Sequence, residues 1–268
     1  MLFYYLNKIY IIVNLFSTYL YLYLTPFLMY FYKNSTTMKK KWYKNYLYRM
    51  NVVSKNINIY SSIILNNPIK IKKQKMNLII MNHSSILDNF ILSKLLVYNN
   101  FSWNDIRTIS RISTRSIQNK TLKIHGSLLL SKNLQKDLNS LKKIVNVWKK
   151  SKDCVQIILF PEGIIYSDEK KNQENNYKHL LIPKIGIYHL LLESFNKNIK
   201  YVYDITAVYT SGKKRVEGEL NILDALSKHN LDINVTIEEF KLSDIINDKK
   251  WLHKRWKYKD NWINNILV

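Results

Sequence analysis

The sequence predicts an α/β domain in which helices flank a mixed central sheet, preceded by an amino-terminal helical segment that associates with a membrane. Beyond residue 50, short apolar runs alternate with longer runs of helical periodicity, which is typical of α/β domains. A length of 268 residues suits one such domain with an appendage. We therefore divide the chain into a membrane anchor with a basic flank at residues 1–50 and a globular domain at residues 51–268.

The membrane segment is predicted from residues 9–32, which carry no charged side chain. A helix of that length can cross a hydrocarbon core of roughly 30 Å. Asn14 and Pro26 within the run also suit a helix lying in the interface or a short hairpin, and a buried core helix is a further alternative. Positive charges cluster after the run rather than before it, which predicts that the globular domain is cytosolic. These residues are Lys33, Lys39, Lys40, Lys41, Lys44 and Arg49.

The composition limits the possible partners and cofactors. The formal charge is +23, from 42 Lys and Arg against 19 Asp and Glu, which favours anionic lipids, nucleic acid or an anionic substrate. No helix-turn-helix, zinc-finger or RNP-type signature accompanies the basic residues, so we expect no nucleic-acid partner. Cys154 is the only cysteine, which excludes an intramolecular disulfide. His179 and His189 lack the convergent spacing of metal ligands, so no metal is predicted.

Strands and helices are predicted to alternate through the globular domain. Apolar runs predict strands at residues 77–81, 128–130, 156–160, 201–209 and 233–237. Three-and-four spacing of apolar residues predicts helices at residues 86–96, 134–148, 183–192 and 251–267, the third opened by Pro183. Residues 168–177 are polar and charged, which predicts a loop.

His83 and Asp88 are the first candidate for chemistry. The histidine lies on a predicted strand-to-helix connection and the aspartate lies in the first turn of the helix, so the two side chains can come within hydrogen-bonding distance. The carboxylate would then hold one ring nitrogen as a donor and leave the other free to take a proton from a hydroxyl. The alternative is structural: Ser85 and Asp88 also fit a capping box, which would make His83 an incidental loop residue.

This pair is the first of four motif regions that follow one another along the chain. They are Asn82-His83 with Asp88, Gly126 to Lys132, Phe160-Pro161-Glu162-Gly163, and Pro183-Lys184 with Gly186. Together they resemble the motifs of the glycerophospholipid acyltransferase family, which comprises 1-acylglycerol-3-phosphate and lysophospholipid acyltransferases. Tyr203-Asp204-Ile205-Thr206 and the tail residues Trp251-Leu252, Arg255 and Lys259-Asp260 are similar to its lysocardiolipin-type branch. Residues 51–268 would then form the acyltransferase domain.

The resemblance implies the transfer of a fatty acyl group from acyl-CoA to the free glycerol hydroxyl of lysophosphatidic acid or another lysophospholipid. His83 would be the general base and Asp88 its partner. No protein nucleophile is needed, because a coenzyme A thiolate is a good leaving group. Acyl-CoA is a co-substrate and no cofactor is implied. The substrate-binding residues would be Gly126, Lys132, Glu162, Gly163, Pro183 and Lys184.

Three of these binding residues also have an ordinary structural interpretation. Lys132 and Lys184 could be solvated surface cations rather than ligands of the acceptor's phosphate. Glu162 could be an exposed residue of a tight turn rather than a hydrogen-bond partner of a glycerol hydroxyl.

The sequence departs from the family pattern at three places. Lys132 stands where the family usually has Arg, which retains the charge but loses bidentate phosphate geometry. Ile164 and Ile165 follow the third motif where Thr is common, and residues 107–124 lack the expected Pro.

Two other functions therefore remain open: a CoA-independent phospholipid transacylase, and a non-catalytic basic membrane tether with the same fold. The expected location is the cytosolic face of an internal membrane, with the endoplasmic reticulum favoured.

Overall fold

The computed structural model describes residues 61–67, 69–85, 87–101, 105–112, 126–131, 133–152, 154–171 and 175–268, with isolated positions at 119, 122 and 123 and between 5 and 24. Most of the predicted anchor at residues 9–32, the proposed domain boundary at residue 50 and Lys132 lie outside them. The described positions between 5 and 24 are helical. No helix within the described ranges is both long enough and apolar enough to cross a bilayer.

The described strands form one mixed sheet in the order β1-β8-β6-β2-β5-β3-β4, with β7 paired to β6. The strands are β1 (Ser61–Asn67), β2 (Met76–Met81), β3 (Ile106–Arg111), β4 (Leu128–Leu130), β5 (Val155–Leu159), β6 (Tyr201–Ser211), β7 (Lys214–Arg215) and β8 (Leu231–Lys241). The helices are α1 (Asp88–Tyr98), α2 (Leu134–Lys150), α3 (Ile185–Phe195), α4 (Glu219–Ser227), α5 (Leu242–Ile245) and α6 (Trp251–Leu267), and a 3₁₀ turn spans Asp168–Lys170.

The sheet is covered by helices on both faces, which confirms the predicted α/β class. Apolar residues of α1 and α4 pack on one face, and those of α2, α3, α5 and α6 pack on the other. The strands β2 and β5 are buried along their whole length. That burial explains why both read in the sequence as continuous apolar runs rather than as alternating patterns.

Sequence periodicity located five of the strands but missed several elements. The strand β1, with the sequence SSIILNN, contains the short apolar run Ile63 to Leu65 but was not predicted, and β3, with the sequence IRTISR, has no apolar run. The elements β7, α4 and α5 were also not predicted. The helix predicted to open at Pro183 begins at Ile185, with Lys184 as its N-cap.

The strand directions determine where the motifs meet. The strands β2, β3, β4, β5 and β6 are mutually parallel, and β8 runs antiparallel to β6. The carboxyl ends of the parallel strands therefore lie at one edge of the sheet. Ligands of open α/β sheets bind at such an edge.

Candidate active site

Asn82 attaches the first motif to the neighbouring strand. Its side-chain oxygen accepts a hydrogen bond from the Ala207 amide at 2.9 Å, and its side-chain nitrogen donates to the Ala207 carbonyl at 2.8 Å. These bonds continue the β2–β6 pairing one residue beyond Met81, where the strand ends. The position of His83 is thereby tied to the sheet.

Asp88 is the most heavily hydrogen-bonded side chain of this edge and is fully buried. Its Oδ2 accepts from His83 Nδ1 at 2.9 Å, from the Ser84 amide at 2.7 Å and from the Ser85 amide at 2.9 Å. Its Oδ1 accepts from the hydroxyl of Tyr209 at 2.7 Å. The predicted contact between histidine and aspartate is present in the structure.

The hydrogen bonds of the alternative interpretation, in which Asp88 caps a helix, are present as well. Ser85 Oγ accepts a bond from the Leu87 amide at 3.1 Å, while the Ser85 amide donates to Asp88. One carboxylate thus caps α1 and orients the imidazole, so the two interpretations do not exclude each other. Because a carboxylate can only accept, the proton of His83 lies on Nδ1 and leaves Nε2 with its lone pair.

The third motif supports the imidazole from its other side. The ring of Phe160 stacks on that of His83 with centroids 4.2 Å apart and an angle of 24° between the planes. The Tyr166 amide donates to the His83 carbonyl oxygen at 2.7 Å. The first and third motifs, 77 residues apart between His83 and Phe160, therefore form one site at the ends of β2 and β5.

Glu162 is buried rather than exposed, so its interpretation as an exposed turn residue is wrong. The turn itself exists, since the Gly163 amide donates to the Phe160 carbonyl oxygen at 2.9 Å. Neither carboxyl oxygen of Glu162 has a hydrogen-bond partner within the part of the chain that is described. Burial raises the pKa of Glu162 to about 8, and the charge of Asp88 adds to this shift. The charges of Lys259 and Arg215 and the backbone amide of His83 oppose it.

A buried ionic network reaches Glu162 from the carboxyl-terminal helix α6. Lys259 is fully buried, donates to the Ile205 carbonyl oxygen and forms an ion pair with Asp204 at 2.6 Å. Arg255 binds the other oxygen of Asp204 at 2.7 Å and also Glu238. Burial lowers the pKa of Lys259, which the nearby acids counteract. Of the tail residues that resembled the lysocardiolipin-type branch, Lys259 thus acts electrostatically on Glu162 of the third motif.

The fourth motif lies against the third. The Lys184 amide donates to the Pro161 carbonyl oxygen at 2.8 Å. Gly163 has a φ of 73°, and a Cβ there would lie 2.8 Å from Lys184 Nζ. Glycine at this position therefore permits both the turn and the close approach of the lysine. Pro183 is buried beside it, and Lys184 is exposed.

Gly126 has contacts of a different kind. It precedes β4 with a φ of 71°, its carbonyl oxygen accepts from Trp148 Nε1 at 3.0 Å, and a Cβ there would lie 3.4 Å from Arg107 Nε. Its amide also donates to the Lys123 carbonyl oxygen at 3.0 Å, and none of these contacts is with His83. Its role in substrate binding stays a prediction, as does that of Lys132.

Two features of the site were not predicted from the sequence. Tyr209 donates to Asp88 although 121 residues separate them in the chain. Arg215 lies with its guanidinium carbon 3.8 Å from the centroid of the Tyr166 ring and donates to the His179 carbonyl oxygen at 2.8 Å, which supports the loop after the third motif. Within the described ranges, no cluster of three or more His, Cys, Asp or Glu side chains could hold a metal ion.

Comparison with known proteins agrees with this arrangement. Lysophosphatidylinositol acyltransferase 10 of Caenorhabditis elegans is 26% identical over 211 residues, which cover 70% of this chain and 52% of that protein. Lysocardiolipin acyltransferase 1 of Mus musculus is 20% identical over 206 residues, covering 71% and 54% respectively. The chain spans about half the length of these curated relatives.

The fold has a counterpart among solved structures. The crystal structure of the 1-acyl-sn-glycerophosphate (LPA) acyltransferase PlsC from Thermotoga maritima aligns with a TM-score of 0.54 at 13% identity, covering 96% of this chain and 98% of that one. A profile of the family described as Acyltransferase matches residues 62–210, which is more than half of the chain and extends from β1 to the end of β6. The chain belongs to the Acyltransferase family.

Proposed function

We propose that this protein transfers a fatty acyl group from acyl-CoA to the free glycerol hydroxyl of a lysophospholipid, with His83 as the general base. The observation that carries the proposal is the Asp88–His83 contact of 2.9 Å, which fixes the proton on Nδ1. The ring is partly accessible, and its Nε2 has no hydrogen-bond partner among the described residues. An imidazole held in this way can accept a proton from an alcohol at neutral pH.

The proposed step is a direct attack on the thioester. The acceptor's O–H bond breaks as its proton moves to His83 Nε2, and the oxygen forms a bond to the acyl carbonyl carbon. The C–S bond then breaks, and the coenzyme A thiolate takes the proton back from the imidazolium. The acyl group ends as an ester, the thiol is released, and the base is regenerated.

The two serines beside His83 support direct attack rather than an acyl-enzyme. Ser84 Oγ accepts from the Asn82 side chain at 2.9 Å and faces the Ala207 carbonyl oxygen at 3.3 Å. Ser85 Oγ accepts from the Leu87 amide. Both hydroxyls are engaged in the structure of the connection, so neither is arranged as the nucleophile of a Ser-His-Asp triad.

The acceptor is proposed to bind beside the third motif. Lys184 Nζ, lying over Gly163, brings a positive charge next to the site and suits the phosphate of a lysophospholipid. Glu162 retains unused hydrogen-bonding capacity, and a protonated acid there could donate to a glycerol oxygen. The names of the relatives include lysophosphatidylinositol and lysocardiolipin as acceptors. We propose a lysophospholipid of this class, with Lys132, Gly126 and Pro183 completing the pocket.

We also propose that the reaction takes place at the cytosolic face of an internal membrane, with the endoplasmic reticulum favoured. The uncharged residues 9–32 and the basic cluster that follows them support this location.

The test is an acyl-transfer assay on the full chain with His83→Ala. The variant should lose about two to four orders of magnitude in rate, the typical contribution of general base catalysis. His189→Ala is the matched control, because this partly buried histidine lies on α3 with its ring against Tyr188. Normal activity of His83→Ala would exclude the mechanism.

The acyl donor is tested separately. Labelled acyl-CoA and labelled intact phospholipid are each supplied as the sole donor to the wild-type protein. We expect product only when acyl-CoA is the donor. Product from phospholipid alone would identify a transacylase, and no product from either, together with membrane binding, would identify a tether.

A further inference from the structure

Three isoleucines are exposed at the edge of the sheet that carries the candidate site. Ile112 follows β3 and is 47% exposed, Ile164 follows the Phe-Pro-Glu-Gly turn and is 36% exposed, and Ile185 opens α3 and is 39% exposed. A single exposed apolar side chain is ordinary on a protein surface. Several exposed apolar side chains at the edge that carries one site are not ordinary, because exposed apolar patches mark sites of interaction.

The pairing of the strands brings the three isoleucines around the same turn. Ile109 of β3 is in register with Leu159 of β5, so Ile112, three residues further on, emerges level with the turn that follows β5. The Lys184 amide donates to the Pro161 carbonyl oxygen at 2.8 Å, so Ile185 opens α3 beside the turn that Ile164 follows.

A positive side chain accompanies each isoleucine. Exposed Arg111 precedes Ile112, and exposed Lys184 precedes Ile185. Lys170 Nζ donates to the carbonyl oxygen of Ile165, next to Ile164, at 2.8 Å. Of the two acids in the 3₁₀ turn Asp168–Lys170, Asp168 is paired with Lys171 at 2.8 Å and Glu169 is exposed.

We propose that Ile112, Ile164 and Ile185, with Arg111, Lys170 and Lys184, form the surface by which this protein contacts a bilayer containing anionic phospholipid. The apolar tips enter the boundary between head groups and acyl chains while the cations bind the phosphates. The overall charge of +23 complements such a surface. The benefit of this orientation rests on the proposed function: the site then opens towards the membrane plane, in which a lysophospholipid diffuses.

The exposed face of α2 is the competing surface and supplies a matched control. Val147 is 63% exposed, more than any of the three isoleucines, and lies close to Lys149 and Lys150. The helix starts just after β4 at the carboxyl edge and ends near the start of β2, where Lys75 Nζ donates to the Ser151 carbonyl oxygen. A helix of 17 residues is about 25 Å long, so Val147 lies near the opposite edge of the sheet.

The test uses the full chain with Cys154→Ala, which removes the only native thiol. Single cysteines are introduced by Ile164→Cys, Ile185→Cys and, as the control, Val147→Cys, and each is labelled with an environment-sensitive fluorophore. The probes are phosphatidylcholine vesicles with and without phosphatidylglycerol, carrying lipids brominated on the acyl chains. A fluorophore that enters the acyl region is quenched, whether or not the amino-terminal segment also binds the membrane.

We expect a blue shift and quenching at positions 164 and 185 on phosphatidylglycerol vesicles, with little change at position 147. Quenching at 147 that equals that at 164 and 185, or none at 164 and 185, would overturn the proposed surface. Equal quenching without phosphatidylglycerol would overturn the role of the three cations. Because the signal needs no turnover, an inactive protein with quenched labels would refute the proposed function and leave the surface standing.

Discussion

Two buried carboxyl groups lie at neighbouring strand ends of this site and have opposite surroundings. Asp88 follows β2 and accepts four hydrogen bonds, two of them from backbone amides. Glu162 follows β5, is equally removed from solvent and has no hydrogen-bond partner among the described residues. The difference arises from the local backbone, since one acid starts a helix and the other lies within a turn.

A helix start offers unpaired amides and the positive end of the helix dipole, which suit a carboxylate. In the turn, the Gly163 amide is already used by the Phe160 carbonyl oxygen, and the backbone amide that favours the charged form of Glu162 is that of His83, whose effect is smaller than that of burial. This edge of the sheet therefore combines two acids. Asp88 is a fixed acceptor that orients His83, whereas burial raises the pKa of Glu162 to about 8 and so keeps it largely protonated at lower pH.

The largest effect is expected for Asp88→Asn. The amide can still accept from the Ser84 and Ser85 amides, so α1 should stay capped, but it no longer holds a charge beside the imidazole. By analogy with the same change in a Ser-His-Asp triad, kcat should fall by about 10³- to 10⁴-fold. Acyl-transfer rates of the purified variants measure this.

Asp105→Asn is the control for that change. Asp105 is also buried and accepts a backbone bond, from the Cys154 amide at 3.1 Å, but it lies just before β3 at the other edge of the sheet. Its replacement should leave kcat unchanged. A similar loss in both variants would show that general stability, not the His83 contact, determines activity.

The second effect concerns the pH dependence of stability at Glu162. Its pKa is raised from 4.5 to about 8 on folding, so the folded state holds this proton more tightly than the unfolded state. The associated stability is fully present below pH 4.5 and is lost as the pH rises to about 8, up to about 5 kcal/mol in total. Glu162→Gln cannot lose this proton.

Denaturant unfolding of wild type and Glu162→Gln at several pH values measures the effect. The stability of the wild type relative to the variant should decrease steadily between pH 5 and pH 8. A constant difference across that range would mean that Glu162 has no raised pKa.

Sequence reasoning reached the Asp88 side of the site but not the surroundings of Glu162. Five residues separate His83 from Asp88 at a strand-to-helix connection, so local geometry is enough to predict their contact. Glu162 depends on Lys259, which comes 97 positions later and reaches it only through the packing of α6 on the sheet.

The alternation of side chains along β6 could have predicted part of the position of Tyr209. In β6, Tyr203, Ile205, Ala207 and Tyr209 alternate and pack in the same core cluster, on one face of the strand. Periodicity could therefore place Tyr209 on that face. It could not give the β2–β6 register that sets Ala207 beside Asn82 and brings Tyr209 to Asp88.

The third effect is expected for Lys259→Met. Removing this buried ammonium leaves Asp204 with its Arg255 ion pair and removes the charge that most strongly lowers the pKa of Glu162. Breaking a buried ion pair on one side typically costs about 3–5 kcal/mol of unfolding free energy. Lys257→Met, an exposed lysine of the same helix, should change stability little. Equal stability of the two variants would contradict the buried network.

The smallest effect is expected for a tyrosine of β6, where the role of the hydroxyl in positioning Asp88 can be separated from its role in stability. Tyr209→Phe removes the hydroxyl that donates to Asp88 Oδ1 and should cost about 1.5 kcal/mol of stability, because a hydrogen bond to a charged group is lost. Tyr203→Phe is the matched control, since its hydroxyl donates to Glu239 at 2.9 Å and accepts from the Lys72 amide at 2.8 Å, away from Asp88.

Both variants should lose stability, but only Tyr209→Phe should lower kcat, with KM unchanged, because Tyr209 acts through the aspartate and not on the substrate. Its loss in kcat should be much smaller than that of Asp88→Asn, since three donors still hold Oδ2. If the two tyrosine variants lowered kcat equally, the hydroxyl of Tyr209 would have no part in orienting His83, and the backbone amides alone would define the carboxylate's position.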